Sequence, residues 1–193
     1  MRADSPIQTL RDLVEAARTR PVKFGTPGVG SPGHLLAETM LRRAGRTDAT
    51  HISYAGAGPA MTALLSGQVD MVTAGLTAAV PQIRGGRARG VAITSAERNA
   101  ALPDVPTVAQ TGLDPLVDLN WAGMFFPAGT PQAVLERANA DVRQVMGRPA
   151  FQERLNALGL VTIGGDLPAA QGFVANEIAR WRDIVRTVNV QRD

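Results

Sequence analysis

FGTPGVGSPGH, residues 24–34, is the stretch on which the fold depends. It joins VKFG (residues 22–25), a predicted strand, to HLLAETMLRRAG (residues 34–45), a predicted helix. Glycines let a backbone approach a ligand closely, and the first turn of a helix presents free N–H groups with a partial positive charge. The hydroxyls of Thr26 and Ser31 add donors. Taken alone, the loop indicates either an anion site or a plain strand–helix turn.

Two phosphate-binding motifs fit this loop poorly. A P-loop requires Gly-Lys-Ser/Thr after the glycines, and none follows. Gly28, Gly30 and Gly33 match the G-x-G-x-x-G spacing of dinucleotide sites, but Pro32 is expected to interrupt the turn into the helix. No acidic residue follows about 20 positions later at a strand end, where these sites hold a ribose. A carboxylate suits such a loop as well as a phosphate does.

Predicted helices and strands alternate on both sides of the loop. Helices are predicted over residues 4–21, 34–45, 59–68 and 76–87, and strands over residues 22–25, 51–56, 69–75 and 90–95. This alternation favours an α/β fold with a largely parallel sheet and right-handed crossovers.

Beyond the last predicted strand, prolines and glycines interrupt the chain, with a brief helix predicted at residues 107–112 and an extended apolar stretch at residues 119–129. Three later apolar stripes predict three C-terminal helices. The stripes are Val134, Leu135, Ala138, Val142 and Val145; Phe151, Leu155 and Leu158; and Val174, Ile178, Trp181, Val185 and Val188.

Two further loops repeat the strand–glycine–helix design, YAGAGPAM at residues 54–61 and TAGLTAAV at residues 73–80. In an open parallel sheet, all such loops gather at the carboxyl ends of the strands, where ligands bind. Three loops of small residues are therefore expected to form a concave site of backbone donors. The candidate ligand-binding residues are Thr26, Gly28, Val29, Gly30, Ser31, His34, Tyr54, Ala57, Gly58, Pro59, Ala74 and Gly75.

Catalytic groups are scarce. No H-E-x-x-H or G-x-S-x-G motif occurs, and Glu15, Glu38, Asp48 and Asp70 have no evident pairing. Asp70 is interpreted as a hydrogen-bond acceptor at a turn or strand start. A three-loop pocket without an acid–base pair indicates binding rather than turnover, with no cofactor and no metal.

The two histidines differ in their expected places. His34 begins a helix beside the glycine loop, and packing or capping there is favoured over ligand contact, with catalysis last. His51 begins a strand and is expected at the opposite end of the sheet.

Composition excludes several other classes of protein. The chain has 193 residues, a formal net charge of +3 and no cysteine, so disulfides and Cys-based zinc sites are ruled out. Aromatic residues make up 4% and the arginines are dispersed, which disfavours a nucleic-acid surface. No apolar run is long enough to insert into a bilayer. The first residues, MRADSPIQTL, have no apolar core, so no signal peptide is predicted in this chain.

Several stretches resemble the Bug/TctC family, the extracytoplasmic substrate-binding receptors of tripartite tricarboxylate transporters. These stretches are YAGAGPAMTALLSGQVDMV (54–72), AAVPQIRGGRARGVAITSAERNAALPDVPTVAQTGLD (78–114), WAGMFFPAGTP (121–131) and EIARWRDIV (177–185). The resemblance implies a type II periplasmic-binding-protein fold, whose two α/β lobes close on a small carboxylate. It also implies a periplasmic location, the membrane components of such a transporter as partners, and no enzymatic activity.

By the same resemblance, residues 1–118 form the second-lobe ligand-binding domain. Residues 119–193 form a crossing strand and a helical extension of an incomplete first lobe, so apolar surface is expected to be exposed unless a partner or a second copy covers it. A homodimer is one such arrangement. Ala74 and Gly75 stand where many relatives carry an acidic residue, which favours a plain carboxylate over an amino acid.

Two alternatives to a carboxylate receptor remain open at this stage. A truncated or degenerate paralogue would act as an interaction or sensory module without transport. A small enzyme would hold a phosphorylated substrate on the loop, with turnover that depends on His34.

Overall fold

The computed structural model describes residues 1–43, 45 and 49–188, without the side chains of residues 183, 187 and 188. Asp48 and the side chain of Val188, both named above, lie outside the described part. The chain divides into two units, the first covering Met1–Asn120 and the second beginning at Trp121. The assignment of residues 1–118 and 119–193 to the two lobes of a receptor stays a prediction.

A parallel sheet with strand order β2-β1-β3 forms the centre of the first unit. The strands are β1 (Lys23–Thr26), β2 (Thr50–Ser53) and β3 (Met71–Val72), and the helices are α1 (Leu10–Thr19), α2 (Pro32–Arg43), α3 (Ala57–Leu65) and α4 (Leu76–Arg84). A short 3-10 helix follows at Ala109–Thr111, where a brief helix is predicted. The predicted α/β fold with a parallel sheet is confirmed.

The core of the first unit is built around the central strand β1. Phe24 on β1 pairs with His51 of β2 on one side and with Met71 of β3 on the other. Its side chain is fully buried and packs in one cluster with Leu13 of α1 and Leu41 of α2. A strand that has a neighbour on each side and is covered by helices is buried on both faces. β1 is that strand here, so its buried side chains are expected to tolerate substitution least.

The predicted strand at residues 90–95 is wrong. Ile93 makes only an isolated parallel bridge to Thr107, with its N–H donating to the carbonyl oxygen of Pro106 at 2.8 Å. Pro106 has no N–H, so the pairing cannot extend into a ladder on that side. The sheet therefore has three strands in the described part of the chain rather than the predicted four.

Two predicted helix starts are also wrong. The first helix begins at Leu10, not near Ser5, because the Thr9 and Asp12 side chains form a reciprocal capping box with the backbone N–H groups of these two residues. Pro32 does not interrupt the entry to α2; it is the first residue of that helix. Proline suits this position, since its fixed φ matches the helix and its missing N–H would have had no intrahelical partner.

Loss of the Thr9 cap is expected to destabilise the first unit measurably. Thr9→Ala removes the acceptor of the Asp12 N–H bond, which spans 3.0 Å, and should lower the free energy of unfolding by about 1 kcal/mol. Thermal unfolding should show this as a fall in Tm of about 3–6 °C. Thr9→Ser keeps the hydroxyl and should stay close to wild type; equal losses in both variants would contradict the capping role.

Asp70 has the structural role expected of it. Its carboxylate accepts hydrogen bonds from the Lys23 backbone N–H at 2.9 Å and from the Arg20 guanidinium at 2.7 Å. Burial raises the pKa of Asp70, but these two bonds outweigh that effect and hold the pKa below its usual value. Asp70 thus ties the start of β3 to the start of β1, at the edge of the sheet opposite the three loops.

The second unit is helical. Its helices are α5 (Gln132–Met146), α6 (Pro149–Ala157) and α7 (Leu167–Val188), which confirms the three helices predicted from the apolar stripes. Trp121 packs edge-on against Phe173, with ring centroids 5.3 Å apart, and donates its indole N–H to Glu177 at 3.0 Å. Large apolar side chains in this unit stay open to solvent, with Met124 71% and Phe125 69% exposed, so the exposure expected from the sequence is confirmed for the described residues.

Candidate ligand-binding site

Three loops meet at one edge of the sheet of the first unit. The parallel strands β1, β2 and β3 end at Thr26, Ser53 and Val72, and each is followed by the start of a helix. Because the strands run in the same direction, the first turns of α2, α3 and α4 all lie at this carboxyl edge. The three predicted loops are therefore close together.

The glycine loop, residues 26–34 including the first turn of α2, is held largely by its own hydrogen bonds. The Ser31 N–H donates to the Gly28 carbonyl at 3.2 Å, and the Gly30 N–H donates to Nδ1 of His34 at 3.0 Å. Ser31 Oγ accepts from the His34 N–H at 3.3 Å, which makes Ser31 the N-cap of α2. Gly30 has φ +71°, a conformation that favours glycine.

Fewer donors of this loop are free than the sequence suggests. The N–H groups of Gly30, Ser31 and His34 are used internally, as above. Within the described part of the chain, the N–H groups of Val29 and Gly33 have no hydrogen-bond partner. The Val29 side chain is 56% exposed, so this peptide lies at the surface, where a ligand can reach it.

Thr26 differs from the donor role predicted for it. Its side chain is fully buried, and its Oγ1 donates to the Gly28 carbonyl at 3.1 Å and lies 2.7 Å from Nε2 of His51. The hydroxyl is thus occupied inside the protein. Thr26 shapes the glycine loop from beneath, and a direct ligand contact by its side chain would require the loop to rearrange.

The two histidines, predicted to lie apart, stack on each other. The expected place of His51 at the opposite end of the sheet is wrong, because its ring lies parallel to that of His34 with centroids 3.7 Å apart and an interplanar angle of 12°. Phe24 stacks against His51 at 5.1 Å. Sequence spacing does not show this, because the contact depends on the register that pairs Phe24 with His51 across the sheet.

Both imidazoles favour the neutral form. Burial lowers the pKa of His34, and the carboxylate of Glu38 opposes this in part. Burial, with a smaller contribution from a charged His34, lowers the pKa of His51 to about 4. At neutral pH both rings are therefore uncharged, and His34 Nδ1 is free to accept the Gly30 N–H.

The second loop presents the start of α3. The N–H groups of Ala57 and Gly58 have no partner within the described part of the chain, as is normal in a first helical turn, and Pro59 has no N–H to offer. Gly58 is exposed, and a Cβ atom added there would meet nothing within 4 Å. Tyr54 packs its ring over Gly25 of β1, where an added Cβ would lie 3.0 Å from Cε2 of the ring.

The third loop presents the start of α4. Gly75 is the N-cap, Ala74 is half-buried, and the N–H groups of Leu76 and Thr77 have no partner within the described part of the chain. The side-chain amide of Asn120 lies beside this loop, with Nδ2 2.7 Å from the position of an added Gly75 Cβ. Asn120 is a polar group at the site that the sequence did not reveal, because residues 119–129 indicated only an extended apolar stretch.

The electrostatics of the site come from the backbone. Residues 26–34, 54–59 and 73–77 contain no Asp, Glu, Lys or Arg. Three helix starts with unpartnered N–H groups place partial positive charge at this edge, which favours an anion. No group of His, Asp or Glu that could hold a metal ion occurs within residues 1–43, 45 and 49–188.

Comparison with known proteins agrees with this geometry. The family model described as tripartite tricarboxylate transporter family receptor, TctC, matches residues 1–190. The chain belongs to this family. It spans about half the length of most of the curated relatives it matches, for example 55% of a UPF0065 protein of Pseudomonas sp. that is 35% identical over 186 residues.

Solved structures similar to this TctC-family chain include a protein of R. palustris with adipate, at 28% identity and a TM-score of 0.88, covering 98% of this chain and 64% of that one. MatC from Rhodopseudomonas palustris with bound malate is 30% identical, with a TM-score of 0.81 and coverage of 95% and 64%. The periplasmic binding protein BugD is 27% identical, with a TM-score of 0.85 and coverage of 100% and 65%. The resemblance to Bug/TctC receptors and to the periplasmic-binding-protein fold is thereby confirmed.

No helix in the described part of the chain is both long and apolar enough to cross a membrane. Even α7, the longest helix in the described part of the chain, is not apolar enough to span a bilayer.

Proposed function

We propose that the first unit binds small dicarboxylates at the three-loop edge, as part of a receptor that delivers them to the membrane components of a tripartite tricarboxylate transporter. The observation that carries this proposal is the convergence of three helix starts with unpartnered N–H groups and no charged side chain in their loops. Such donors satisfy carboxylate oxygens without a salt bridge.

The neighbouring structures support the ligand class. Their ligands, adipate and malate, both carry two carboxylates on a short carbon chain. The Val29 and Gly33 amides, the start of α3 and the start of α4 provide separate groups of donors for the carboxylate oxygens. Asn120 adds a side-chain amide that suits a hydroxyl or carboxylate oxygen.

The absence of an acidic residue in the loops bears on selectivity. Ala74 and Gly75 follow β3, and neither they nor any other residue of the three loops offers a carboxylate for a ligand ammonium. A ligand ammonium would meet the partial positive charge of the helix starts with no carboxylate to compensate for it. We therefore expect plain dicarboxylates to bind better than amino acids of the same size.

Calorimetry with malate, adipate and aspartate tests this proposal. Malate or adipate is expected to bind with a Kd on the order of 0.1–1 mM, or about 4–5.5 kcal/mol, because Val29 and Gly58 lie exposed at this edge and leave part of the ligand in water. Aspartate, which differs from malate by an ammonium in place of a hydroxyl, is expected to bind at least about tenfold more weakly. A folded protein that gives no heat with either dicarboxylate would contradict the proposal.

The wider role is part of the same proposal. The family is one of solute-binding receptors, which supports a function in binding rather than catalysis, and the fold is that of periplasmic proteins. A periplasmic location and docking on transporter subunits follow for the whole receptor. A homodimer stays a prediction, which the mass in solution would test.

A further inference from the structure

The glycine loop rests on a stacked pair of histidines. Each histidine holds one backbone group of the loop. The Gly30 N–H donates directly to Nδ1 of His34. His51 acts through Thr26, whose Oγ1 contacts His51 Nε2 and donates to the Gly28 carbonyl. His34 is 7% exposed and Thr26 is fully buried. The loop peptide with the free Val29 N–H lies between these two anchors.

The hydrogen bonds define the protonation state that the loop requires. His34 Nδ1 accepts the Gly30 N–H, so this nitrogen carries no proton and the neutral ring has its proton on Nε2. The His51 contact is satisfied when Nε2–H donates to Thr26 Oγ1, whose own proton goes to the Gly28 carbonyl. A proton added to His34 would place an N–H against the Gly30 N–H, so the anchor at Gly30 would be lost.

The charges around the pair do not stabilise a second proton. Phe24 on β1 presents only an apolar ring to His51, and the neutral His51 on β2 offers no negative charge to a protonated His34 across the 3.7 Å stack. On α2, Glu38 favours the charged form of both rings, but its carboxylate is held by Arg42 at 3.1 Å. Burial outweighs Glu38 at both histidines, so the neutral pair is the form that the fold stabilises.

We propose that the His34–His51 pair is the positioning device of the glycine loop, and that protonation of His34 releases the loop and weakens carboxylate binding. The predicted effect on ligand affinity rests on the proposed function, whereas the predicted effect on the loop conformation is independent of it. A group whose pKa is lowered in the folded state stabilises that state above its unfolded pKa and loses this contribution as pH falls. The loop is therefore expected to be held above about pH 6.5 and to be released progressively below it.

The loop can be observed without any ligand. In protein with 15N-labelled histidine and glycine, NMR from pH 7.5 to pH 5.0 should show His34 titrating below its ordinary pKa of about 6.5. The Gly30 amide should shift with the same midpoint, and its protection factor, which corrects for the intrinsic slowing of hydrogen exchange at lower pH, should fall. A Gly30 amide that is insensitive to the His34 titration would overturn the proposal. Failure of every acid to bind would leave this arm intact and would count against the proposed function instead.

The ligand arm compares wild type with His34→Asn, since the Asn Oδ1 can take the place of Nδ1 as an acceptor that does not titrate near neutral pH. For each protein, the quantity compared is the factor by which malate affinity falls between pH 7.5 and pH 5.0. This factor should be at least about threefold larger in wild type than in the variant. The difference cannot exceed roughly 30-fold, because pH 5.0 lies about 1.5 units below the ordinary histidine pKa. Both proteins use the same ligand, so protonation of malate cancels. Equal falls in the two proteins, or tighter binding in wild type at pH 5.0, would overturn the proposal.

A second variant protects the experiment against misfolding of the first. His51→Gln keeps an acceptor and donor near Thr26 but removes the ring stack. It should raise the midpoint of the His34 titration towards the ordinary value, because without the stacked ring His34 is less buried, and burial is what lowers its pKa. An unchanged midpoint would contradict the coupling of the two rings.

Discussion

Replacing Gly58 with glutamate is expected to abolish binding of small dicarboxylates while the first unit stays folded. Gly58 is the second residue of α3, is exposed, and has open space where a Cβ would lie. A glutamate in the first turn of a helix is favourable by about 0.3–1 kcal/mol, and leaving glycine gains roughly half a kcal/mol in helix propensity. The Tm should therefore be unchanged or slightly higher.

Binding should respond in the opposite direction. The new carboxylate takes up the partial positive charge that the ligand needs and repels the ligand, at a cost of about 1–3 kcal/mol at surface dielectric values, or roughly 5- to 150-fold in affinity. With a wild-type Kd on the order of 0.1–1 mM, calorimetry would then show no binding. Gly58→Gln is the matched control, with nearly the same size and no charge, and should keep most of the affinity. Equal affinities in the two variants would contradict an anion seat at the start of α3.

Phe24→Ala is expected to give the largest loss of stability in the first unit. The ring is fully buried on the central strand and stacks on His51 at 5.1 Å. Such truncations cost about 3–5 kcal/mol, a large part of the roughly 5–15 kcal/mol that a folded domain has in total. Thermal unfolding should shift down by roughly 10–20 °C.

The control for this loss is a phenylalanine in the second unit. Phe125 is 69% exposed, and Phe125→Ala should change the free energy of unfolding by less than about 0.5 kcal/mol. Similar losses at Phe24 and Phe125 would mean that the core does not lie around β1. Phe24→Leu separates packing from stacking: it should cost about 1–1.5 kcal/mol and still disturb the His51 titration, because the aromatic neighbour is lost.

The strand–glycine–helix pattern was enough to predict the layout of the site. Each of the loops at residues 54–61 and 73–80 follows a short predicted strand and precedes a predicted helix, and parallel strands bring their ends to one edge. These features are local in sequence, so they can be read from it. The same holds for α5, α6 and α7, whose apolar stripes are sustained over several turns.

Contacts between distant residues could not be predicted in this way. Thr26 and His51 meet only through the register of β1 and β2, and the stack of His51 on His34 adds the approach of α2 to that pairing. Residues 90–95 have the composition of a buried strand, but a strand also needs a partner that can continue the ladder. Here the partner contains Pro106, and the ladder stops after one bridge.

The donors of the loop illustrate a second limit. A glycine-rich stretch indicates that backbone N–H groups are accessible, not how many are free. In the structure, Ser31 Oγ is a helix cap and the Gly30 N–H is held by His34, which leaves Val29 and Gly33 as the free amides of that loop in the described part of the chain. Internal hydrogen bonds of this kind depend on side-chain positions that spacing alone does not specify.

An amide-detected NMR titration with malate tests the central claim most directly, that backbone N–H groups at three helix starts bind a carboxylate. The account predicts shifts at Val29, at Gly58 and at Leu76 or Thr77 that share one midpoint, with little change at the amides of the second unit. Shifts confined to the second unit, or none at any of the three loops at millimolar malate, would contradict it.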